Sequence, residues 1–298
     1  MRFFHHIGRN KNIMTSFSEA DLILNPDGSI YHLGIRPEHI AGTVLLVGDP
    51  GRVARISRHF DQIEFKASKR EFITHTGTYK GKRISAMSTG MGVDNIEIAI
   101  FELDALVNID LEKRESREKK TSLNLVRIGT SGAIQPEIAV GSAVASEHGV
   151  GLDNLLEWYK LDQTQDQLSF CRYLQESVHL GTIPYMVKGS EKLLSSLAEG
   201  LIRGITVTSP GFYAPQGRKL RIPVKDGSFL DKIRSFEHQG HKLTNFEMET
   251  SAIYAFARLL GHEALSINAV LGNRAQKTFT QNPYETIDSI IMQVLERL

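Results

Sequence analysis

The stretch Thr43–Gly51, TVLLVGDPG, decides the class of fold that this sequence predicts. Thr43-Val44-Leu45-Leu46-Val47 indicates a buried strand, which Gly48-Asp49-Pro50-Gly51 closes with a turn. From Arg52 to Phe60 the apolar residues return at helical spacing. The stretch therefore predicts a strand, a turn and a helix in succession, which is the building unit of an α/β protein.

The same unit is predicted again further along the chain. Arg83 to Ser88 indicates a strand, Thr89-Gly90-Met91-Gly92 a turn, and Asp94 to Val107 an amphipathic helix. Further strands are predicted at Leu125–Ile128, Ser142–Ser146, Ile205–Thr208 and Ala264–Leu271, and further helices at Met248–Leu260 and Tyr284–Leu298. Glycine clusters, among them Gly129-Thr130-Ser131-Gly132, are expected as turns at the carboxyl ends of strands, where open α/β sheets bind ligands.

The chain contains no internal repeat and no linker rich in Pro, Gly or Ser, which favours one domain. Residues 1–20 are expected to form an N-terminal tail, and residues 21–298 the domain. The first ten residues lack the apolar run of a secretory signal. The single cysteine, Cys171, excludes an internal disulfide and fits a reducing compartment, so the cytoplasm is the expected location.

Bulk composition excludes several classes of protein. Of the 298 residues, 41% are hydrophobic and 23% charged, which is ordinary for a globular protein. The 35 basic and 34 acidic residues leave a formal charge of +1. No overall field would attract nucleic acid or an anionic membrane, so neither is predicted as a partner.

Three other motifs carry no function in this interpretation. The charged run 110–120 has alternating signs and predicts a solvated helix extension or surface loop. Gly90-x-Gly92 lacks the third glycine of a dinucleotide site, because Asn95 stands there. None of the eleven histidines forms an i, i+4 pair with a flanking acid, so no metal site is predicted.

Seven short motifs, in this order along the chain, together resemble the nucleoside phosphorylase family that includes uridine phosphorylase. They are Tyr31-His32-Leu33-Gly34, Gly48-Asp49-Pro50-Gly51-Arg52-Val53, Lys69-Arg70-Glu71-Phe72, Ser88-Thr89-Gly90-Met91-Gly92, Arg127-Ile128-Gly129-Thr130-Ser131-Gly132, Phe212-Tyr213-Ala214-Pro215-Gln216-Gly217-Arg218 and Asn245-Phe246-Glu247-Met248-Glu249. The resemblance spans about Tyr31 to the end. It implies a three-layer α/β/α single domain with a central mixed β-sheet. It also implies self-association into a dimer or hexamer, with sites shared across subunits.

Phosphorolysis needs an anion held beside a developing cation, because phosphate attacks the ribose C1′ through an oxocarbenium-like transition state. Arginines and glycine-rich turns suit the phosphate. The resemblance assigns this role to Gly48, Arg52, Arg127 and Thr130. Arg70 would join the phosphate, and His32 the ribose 5′-hydroxyl, from a neighbouring subunit. Inorganic phosphate is the co-substrate, and no cofactor is predicted.

Glu249 is predicted to accept hydrogen bonds from the ribose hydroxyls and to stabilise the positive charge that grows on the sugar. Met248 would pack under the ribose. Simple capping of the following helix is the alternative role for two acids at this position, and a structural role is open for Glu247. The predicted catalytic residues are Glu249, Arg127 and Arg218.

For the base, Phe212 can stack on a ring, Gln216 can pair with the imide edge of uracil, and Arg218 can bond a carbonyl oxygen. Arg274 would support Arg218. The stretch from Ala269 to Arg274 holds no acid to protonate a purine, so uridine is preferred over inosine or adenosine.

The competing interpretations are a purine nucleoside phosphorylase, a nucleosidase of the same fold, and a nucleoside-binding module without turnover. Segment 110–120 is longer than in typical bacterial uridine phosphorylases, and residues 152–188 match them poorly. A monovalent cation near Glu71 is left open, because Asn95 replaces the expected small hydroxyl residue.

Overall fold

The strand predicted at Thr43–Val47 is present with those bounds in the computed structural model, which describes residues 16–298. The strands are β1 (Thr43–Val47), β2 (Gln62–Lys69), β3 (Phe72–Tyr79), β4 (Lys82–Ser88), β5 (Ile109–Asp110), β6 (Glu115–Ser116), β7 (Asn124–Ala133), β8 (Ala143–Gly151), β9 (Tyr185–Lys188), β10 (Ile202–Thr208), β11 (Glu237–His238), β12 (His241–Glu247), β13 (Glu263–Asn273) and β14 (Thr278–Phe279). The helices are α1 (Pro50–Ser57), α2 (Val93–Asn108), α3 (Gln165–Val178), α4 (Glu191–Leu197), α5 (Phe229–Ser235), α6 (Thr250–Leu260) and α7 (Pro283–Arg297).

Local chemistry explains why α1 begins where β1 ends. The Asp49 side chain accepts a hydrogen bond from the Gly51 backbone N–H at 2.9 Å, and Pro50 occupies the first helical position. Proline is tolerated there because its missing N–H has no partner within the helix. The chain therefore turns from strand to helix within two residues, and places Arg52 in the first turn of α1.

Twelve strands form one mixed sheet, and its order places the centre of the molecule at β7 and β13. The order is β11-β12-β10-β8-β13-β7-β1-β4-β3-β2, with β9 beside β8 and β14 beside β13. β1 pairs in parallel with both β4 and β7, whereas β13 pairs in parallel with β7 and antiparallel with β8. β12 also pairs antiparallel with β7, which closes β12, β10, β8, β13 and β7 into a ring.

Helices cover both faces of this sheet, as the alternation along β1 illustrates. Val44 and Leu46 pack in the cluster that contains α2 and α6, whereas Leu45 and Val47 pack in the cluster that contains α1 and α7. All four side chains are buried, and each contributes on the order of 1.5–3 kcal/mol of hydrophobic free energy. The predicted three-layer α/β/α arrangement with a central mixed sheet is confirmed.

The prediction of a glycine turn at Gly129-Thr130-Ser131-Gly132 is wrong. These residues lie inside β7, which runs from Asn124 to Ala133 and pairs with β13 along its whole length. Strand β8 likewise continues to Gly151, well beyond the predicted end at Ser146. Glycine stands at position 129 because the Arg127 guanidinium packs against it.

Three segments that the sequence left without a clear role have defined structures. Ile109–Asp110 and Glu115–Ser116 form a two-stranded hairpin within the charged run, which is otherwise mostly exposed. Residues 152–188 hold α3 and β9. Of the predicted tail 1–20, residues 1–15 lie outside the described residues. The Phe17 N–H donates to the Arg114 carbonyl oxygen at 2.8 Å.

Candidate active site

A buried cluster of charged side chains surrounds Arg127 at the middle of the sheet. The guanidinium of Arg127 forms an ion pair with Glu249, and a second, looser one with Glu247 at 3.5 Å. It also donates to the Asn268 side-chain oxygen at 2.7 Å. Arg127 is 5% exposed and Glu249 3%. Burial opposes the charged form of Arg127, but Glu249 and Glu247 more than offset it and raise the pKa of Arg127.

Gly129 is required by the way in which Arg127 is buried. Residues 127 and 129 lie on the same face of β7, because side chains alternate along a strand. A Cβ at position 129 would lie 2.6 Å from Cζ of Arg127 and would also overlap the Asn268 side-chain oxygen. Only glycine leaves room for the guanidinium to fold back along its own strand and reach β13.

Asn268 is a functional candidate that sequence reasoning missed. It lies on β13 opposite Gly129, is fully buried, and its amide nitrogen donates to Ser146 at 3.2 Å and Ser266 at 3.3 Å. These bonds fix the amide so that its oxygen points at Arg127. A signal was present, since Asn268 and Ser266 are the two polar residues of the predicted strand Ala264–Leu271, but the partner of Asn268 depends on strand pairing.

The two acids at the start of α6 have different surroundings. Glu247 accepts hydrogen bonds from the backbone N–H groups of Glu249 and Thr250, each at 2.9 Å, and from the Thr208 hydroxyl at 2.7 Å. Glu249 makes no capping bond and instead accepts from the Gly92 N–H at 2.8 Å. The capping expected of an acid here is performed by Glu247, which leaves the Glu249 carboxylate to Arg127 and Gly92.

Arg52 brings a second buried guanidinium close to this cluster. It is 8% exposed, and one terminal nitrogen donates to the Ile128 carbonyl oxygen at 3.1 Å. Burial, and then the charge of Arg127, lower the pKa of Arg52 to about 10. Two cations that repel each other in a place of low solvation favour an anion between them.

The other two residues predicted for phosphate lie at the same level of the sheet. Leu46 pairs with Arg127, so Gly48, two residues later, lies at the level of Gly129, and the half-buried Thr130 is the next residue of β7. A Cβ at position 48 would lie 3.3 Å from the Gly90 carbonyl oxygen, so two loops approach closely here. The structure therefore brings Arg52 close to Arg127 and places Gly48 and Thr130 at the same end of the sheet. Met248 lies half-buried between the two acids.

The four residues predicted for the base form a second group. Arg274 donates to the Gln216 carbonyl oxygen, and Arg218 to the Gln216 side-chain oxygen, each at 2.7 Å. The Arg218 guanidinium lies 3.6 Å from the ring centroid of Phe212, which is 50% exposed. Burial, followed by the charge of Arg274, lowers the pKa of Arg218 to about 10.

Strand pairing connects this group to the charged cluster. The Ser209 N–H, directly after β10, donates to the Glu247 carbonyl oxygen at 2.9 Å. At the far end of β7, Gly132 pairs with Phe246, and a Cβ on Gly132 would lie 3.4 Å from Cδ of Arg274. The chain from Ser209 therefore starts beside the acids and carries the base-binding candidates.

His32 and Arg70 have surroundings of their own. The His32 ring nitrogen is 2.7 Å from Glu102, which also accepts from the His32 and Leu33 backbone N–H groups. Arg70 is exposed in the turn between β2 and β3, with a positive φ of 53°. Within residues 16–298, no hydrogen bond or ion pair connects either side chain to Arg127 or Glu249. Their contribution from a neighbouring subunit stays a prediction.

Near Glu71, where a monovalent cation was left open, the side chains of Glu71 and Asn95 pack closely against Gly90. A Cβ on Gly90 would lie 3.0 Å from Cγ of Glu71 and would overlap the Asn95 amide. Among residues 16–298 there is no cluster of three or more His, Cys, Asp or Glu side chains placed to hold a metal ion.

In the same part of the chain, no helix is both long enough and apolar enough to cross a membrane.

Comparison with known families identifies this arrangement. Residues 43–298 match the phosphorylase superfamily. The chain belongs to this superfamily. The resemblance expected from the seven motifs is confirmed.

Among phosphorylase-superfamily relatives, the uridine phosphorylase of Thermococcus kodakarensis is 32% identical over 269 residues, which cover 90% of this chain and 86% of the relative. A DeoD-type purine nucleoside phosphorylase of Geobacillus stearothermophilus is 28% identical, with coverage of 89% and 97%. A Trypanosoma brucei nucleoside phosphorylase, whose crystal structure was reported to show uridine phosphorylase activity, superposes with a TM-score of 0.85 at 28% identity, covering 93% of this chain and 99% of its own. Both pyrimidine and purine enzymes are thus among the relatives.

Proposed function

We propose that this chain is a uridine phosphorylase, a pentosyltransferase that converts uridine and phosphate into uracil and ribose 1-phosphate. The observation that carries the proposal is the pair of buried guanidinium groups, Arg52 and Arg127, beside the buried carboxylate of Glu249. Phosphorolysis needs this combination, because an anion must be held next to a sugar that becomes cationic. A nucleosidase would use water and would gain nothing from cations in an anion pocket.

In this mechanism a phosphate oxygen forms a bond to C1′ of the ribose while the bond from C1′ to N1 of uracil breaks. The electron pair of that bond leaves on the uracil ring. Arg52 and Arg127, with Gly48 and Thr130, bind the phosphate. Glu249 accepts hydrogen bonds from the ribose hydroxyls, and its charge stabilises the oxocarbenium character of the sugar. Met248 packs under the ribose. No cofactor other than the phosphate co-substrate takes part.

The base-binding group supports uracil as the leaving group. Gln216 offers an acceptor and donors to an imide edge, and Arg218 and Arg274 place positive charge where a uracil carbonyl gathers negative charge. Arg218 lies over the exposed Phe212 ring, so it must move aside when a base stacks there. The stretch from Ala269 to Arg274 contains no acid that could protonate a purine ring nitrogen.

We also propose that the enzyme acts in the cytoplasm as a dimer or hexamer in which His32 and Arg70 complete a neighbouring site. Within residues 16–298, neither side chain forms a hydrogen bond or ion pair with Arg127 or Glu249, which supports the shared site. A single, buried thiol at Cys171 supports a reducing compartment.

The test follows uracil release from uridine by ultraviolet absorbance, with and without phosphate, and then with inosine as substrate. The proposal expects release that depends on phosphate and a kcat/KM for uridine well above that for inosine. Release without phosphate would support a nucleosidase, and preference for inosine would support a purine enzyme. A chain that binds uridine without turnover would be a binding module.

A variant links the activity to the cluster. Glu249→Ala is expected to lower kcat by at least about 100-fold, the loss typical of one electrostatic contact to a transition state. Circular dichroism and thermal unfolding of the variant control for the loss of the ion pair with Arg127. An unaltered rate in the folded variant would remove Glu249 from the site.

A further inference from the structure

A cavity of about 290 Å³ lies at the other end of β12 from the acids, between the sheet, α3 and the β11–β12 hairpin. Its lining includes His148, Lys188, His238, His241, Phe170 and Ile205. β12 runs from His241 to Glu247, and six steps of about 3.3 Å separate its ends by roughly 20 Å. This histidine pocket is therefore distinct from the candidate active site, and its residues play no part in the proposed mechanism.

The strand register gives the pocket a built floor. His148 of β8 pairs with Lys188 of β9 on one side and with Ile205 of β10 on the other. Paired residues on neighbouring strands project to the same face, so these three side chains form one row. Met186, two residues before Lys188, and Phe170 of α3 add apolar wall. The pocket therefore offers an apolar surface for a flat ring and, beside it, polar side chains for a charged or polar group.

The hairpin brings two more imidazoles to the pocket. Gln239 and Gly240 have φ of 50° and 80°, and two positive values in succession are typical of a tight two-residue hairpin turn. His238 and His241 are paired directly across this turn. The His238 ring packs against Phe170 at a centroid distance of 6.0 Å, which holds this end of the hairpin on α3.

The charges around His148 favour an anion. His148 is half-buried, and no hydrogen bond from residues 16–298 reaches its ring nitrogens. Burial, then the charges of Lys188, His241 and Arg258, lower the pKa of His148 to about 4. The acids nearby are Glu191, which pairs with Lys188, and Asp166 on the rim. Because these acids offset part of the positive charge, one negative charge matches the pocket better than two.

We propose that the histidine pocket binds a small aromatic carboxylate, with its ring between Phe170, Met186 and Ile205 and its carboxylate beside His148, Lys188 and His241. The bound carboxylate stabilises protonated His148, because an opposite charge within a few ångströms favours the charged form. Binding therefore takes up a proton at a pH between the lowered pKa of His148 in the free protein and its higher pKa in the complex. The pocket volume is near the lower bound for small-molecule sites, about 300 Å³, and fits a single ring.

Isothermal titration of the full chain with benzoate tests the proposal, with benzyl alcohol as the neutral probe and acetate as the probe without a ring. Benzoate is expected to bind saturably and at least about tenfold more tightly than either control. Lys188→Met should weaken benzoate binding about tenfold, the loss of one charge-assisted hydrogen bond. Lys192→Met, a nearby exposed lysine outside the pocket, is the matched control and should bind like the native chain.

His148→Gln provides the second variant. It should weaken benzoate binding to a similar degree and reduce the proton uptake, measured at pH 5.5 in buffers of different ionisation enthalpy. Circular dichroism verifies that His148→Gln folds. If it does not fold, the test rests on Lys188→Met, because the Lys188 side chain is 43% exposed and its substitution disturbs the core little. The absence of saturable benzoate binding would overturn the proposal. So would equal affinity in the native chain and Lys188→Met.

Discussion

Gly129→Ala is the substitution that tests most directly how the candidate site is built. The new methyl carbon would lie 2.6 Å from Cζ of Arg127, whereas carbon atoms in contact lie about 3.5–4.0 Å apart. The guanidinium must therefore retreat by about 1 Å or more. The same methyl group overlaps the Asn268 side-chain oxygen, so Arg127 cannot keep its 2.7 Å bond to that residue.

The loss of stability in Gly129→Ala follows from the burial of the Arg127–Glu249 ion pair. Arg127 and Glu249 are 5% and 3% exposed, so neither regains full hydration when the pair is distorted. Breaking a buried ion pair costs about 3–5 kcal/mol, because a charge is left without a partner. We expect Gly129→Ala to lower the free energy of unfolding by about this amount. Misplacing one transition-state contact lowers kcat/KM by about 100- to 1000-fold.

Urea unfolding followed by circular dichroism measures the first quantity, and phosphorolysis of uridine the second. Gly132→Ala is the matched control, because Gly132 lies on the same strand and its Cβ would meet Arg274 at an ordinary 3.4 Å. The control should change the free energy of unfolding by less than about 1 kcal/mol. If Gly129→Ala behaved like Gly132→Ala in both assays, the packing of Arg127 over Gly129 would be refuted.

Four further predictions concern single residues. Glu247→Ala should lower the free energy of unfolding by about 1–2 kcal/mol through loss of its capping bonds, while kcat falls far less than in Glu249→Ala; equal losses of kcat would contradict separate roles. Gln216→Leu should lower kcat/KM for uridine about 10- to 100-fold by removing two hydrogen bonds to the base, without a comparable loss for inosine. Arg70→Met should raise the KM for phosphate about tenfold or more, and a mixed oligomer with a Glu249→Ala partner should recover some activity only if sites are shared. Burial raises the pKa of Cys171 to about 12, so a maleimide should label it only as fast as the protein unfolds, and rapid labelling of the native chain would contradict its burial.

Much of the fold could be predicted from local sequence, because β1 and α2 have patterns that agree with their burial. Val44 and Leu46 face one layer of helices while Leu45 and Val47 face the other, and a continuous apolar run is what a strand covered on both faces requires. The wrong prediction of a turn at Gly129 arose because local sequence does not show what a glycine packs against. A glycine in a strand can mark a close approach as well as a turn, and only the position of Arg127 distinguishes these possibilities.

The site was predictable to the extent that its residues are consecutive or belong to a motif. Arg127 and Glu249 come from two separate motifs and form an ion pair, and Gln216 and Arg218 come from one motif and share a hydrogen bond. Asn268 could not be placed, because its contact with Arg127 depends on the register between β7 and β13, and these strands are far apart in sequence. Glu247 was recognised only as an alternative cap, since the direction of its side chain is fixed by the folded start of α6.

The balance of charge in the buried cluster bears on why the site would need a second subunit. Arg52 and Arg127 carry two positive charges, and Glu247 and Glu249 carry two negative ones when ionised, so this group is neutral without phosphate. Burial, and the neighbouring Glu249, raise the pKa of Glu247 against the opposing effect of Arg127. A phosphate dianion in such surroundings requires either a proton on an acid or another cation. Protonation would weaken the capping of α6, whereas an arginine from outside the chain would leave the cluster intact. Arg70 is exposed and forms no ion pair with the cluster within residues 16–298, which is consistent with the second solution.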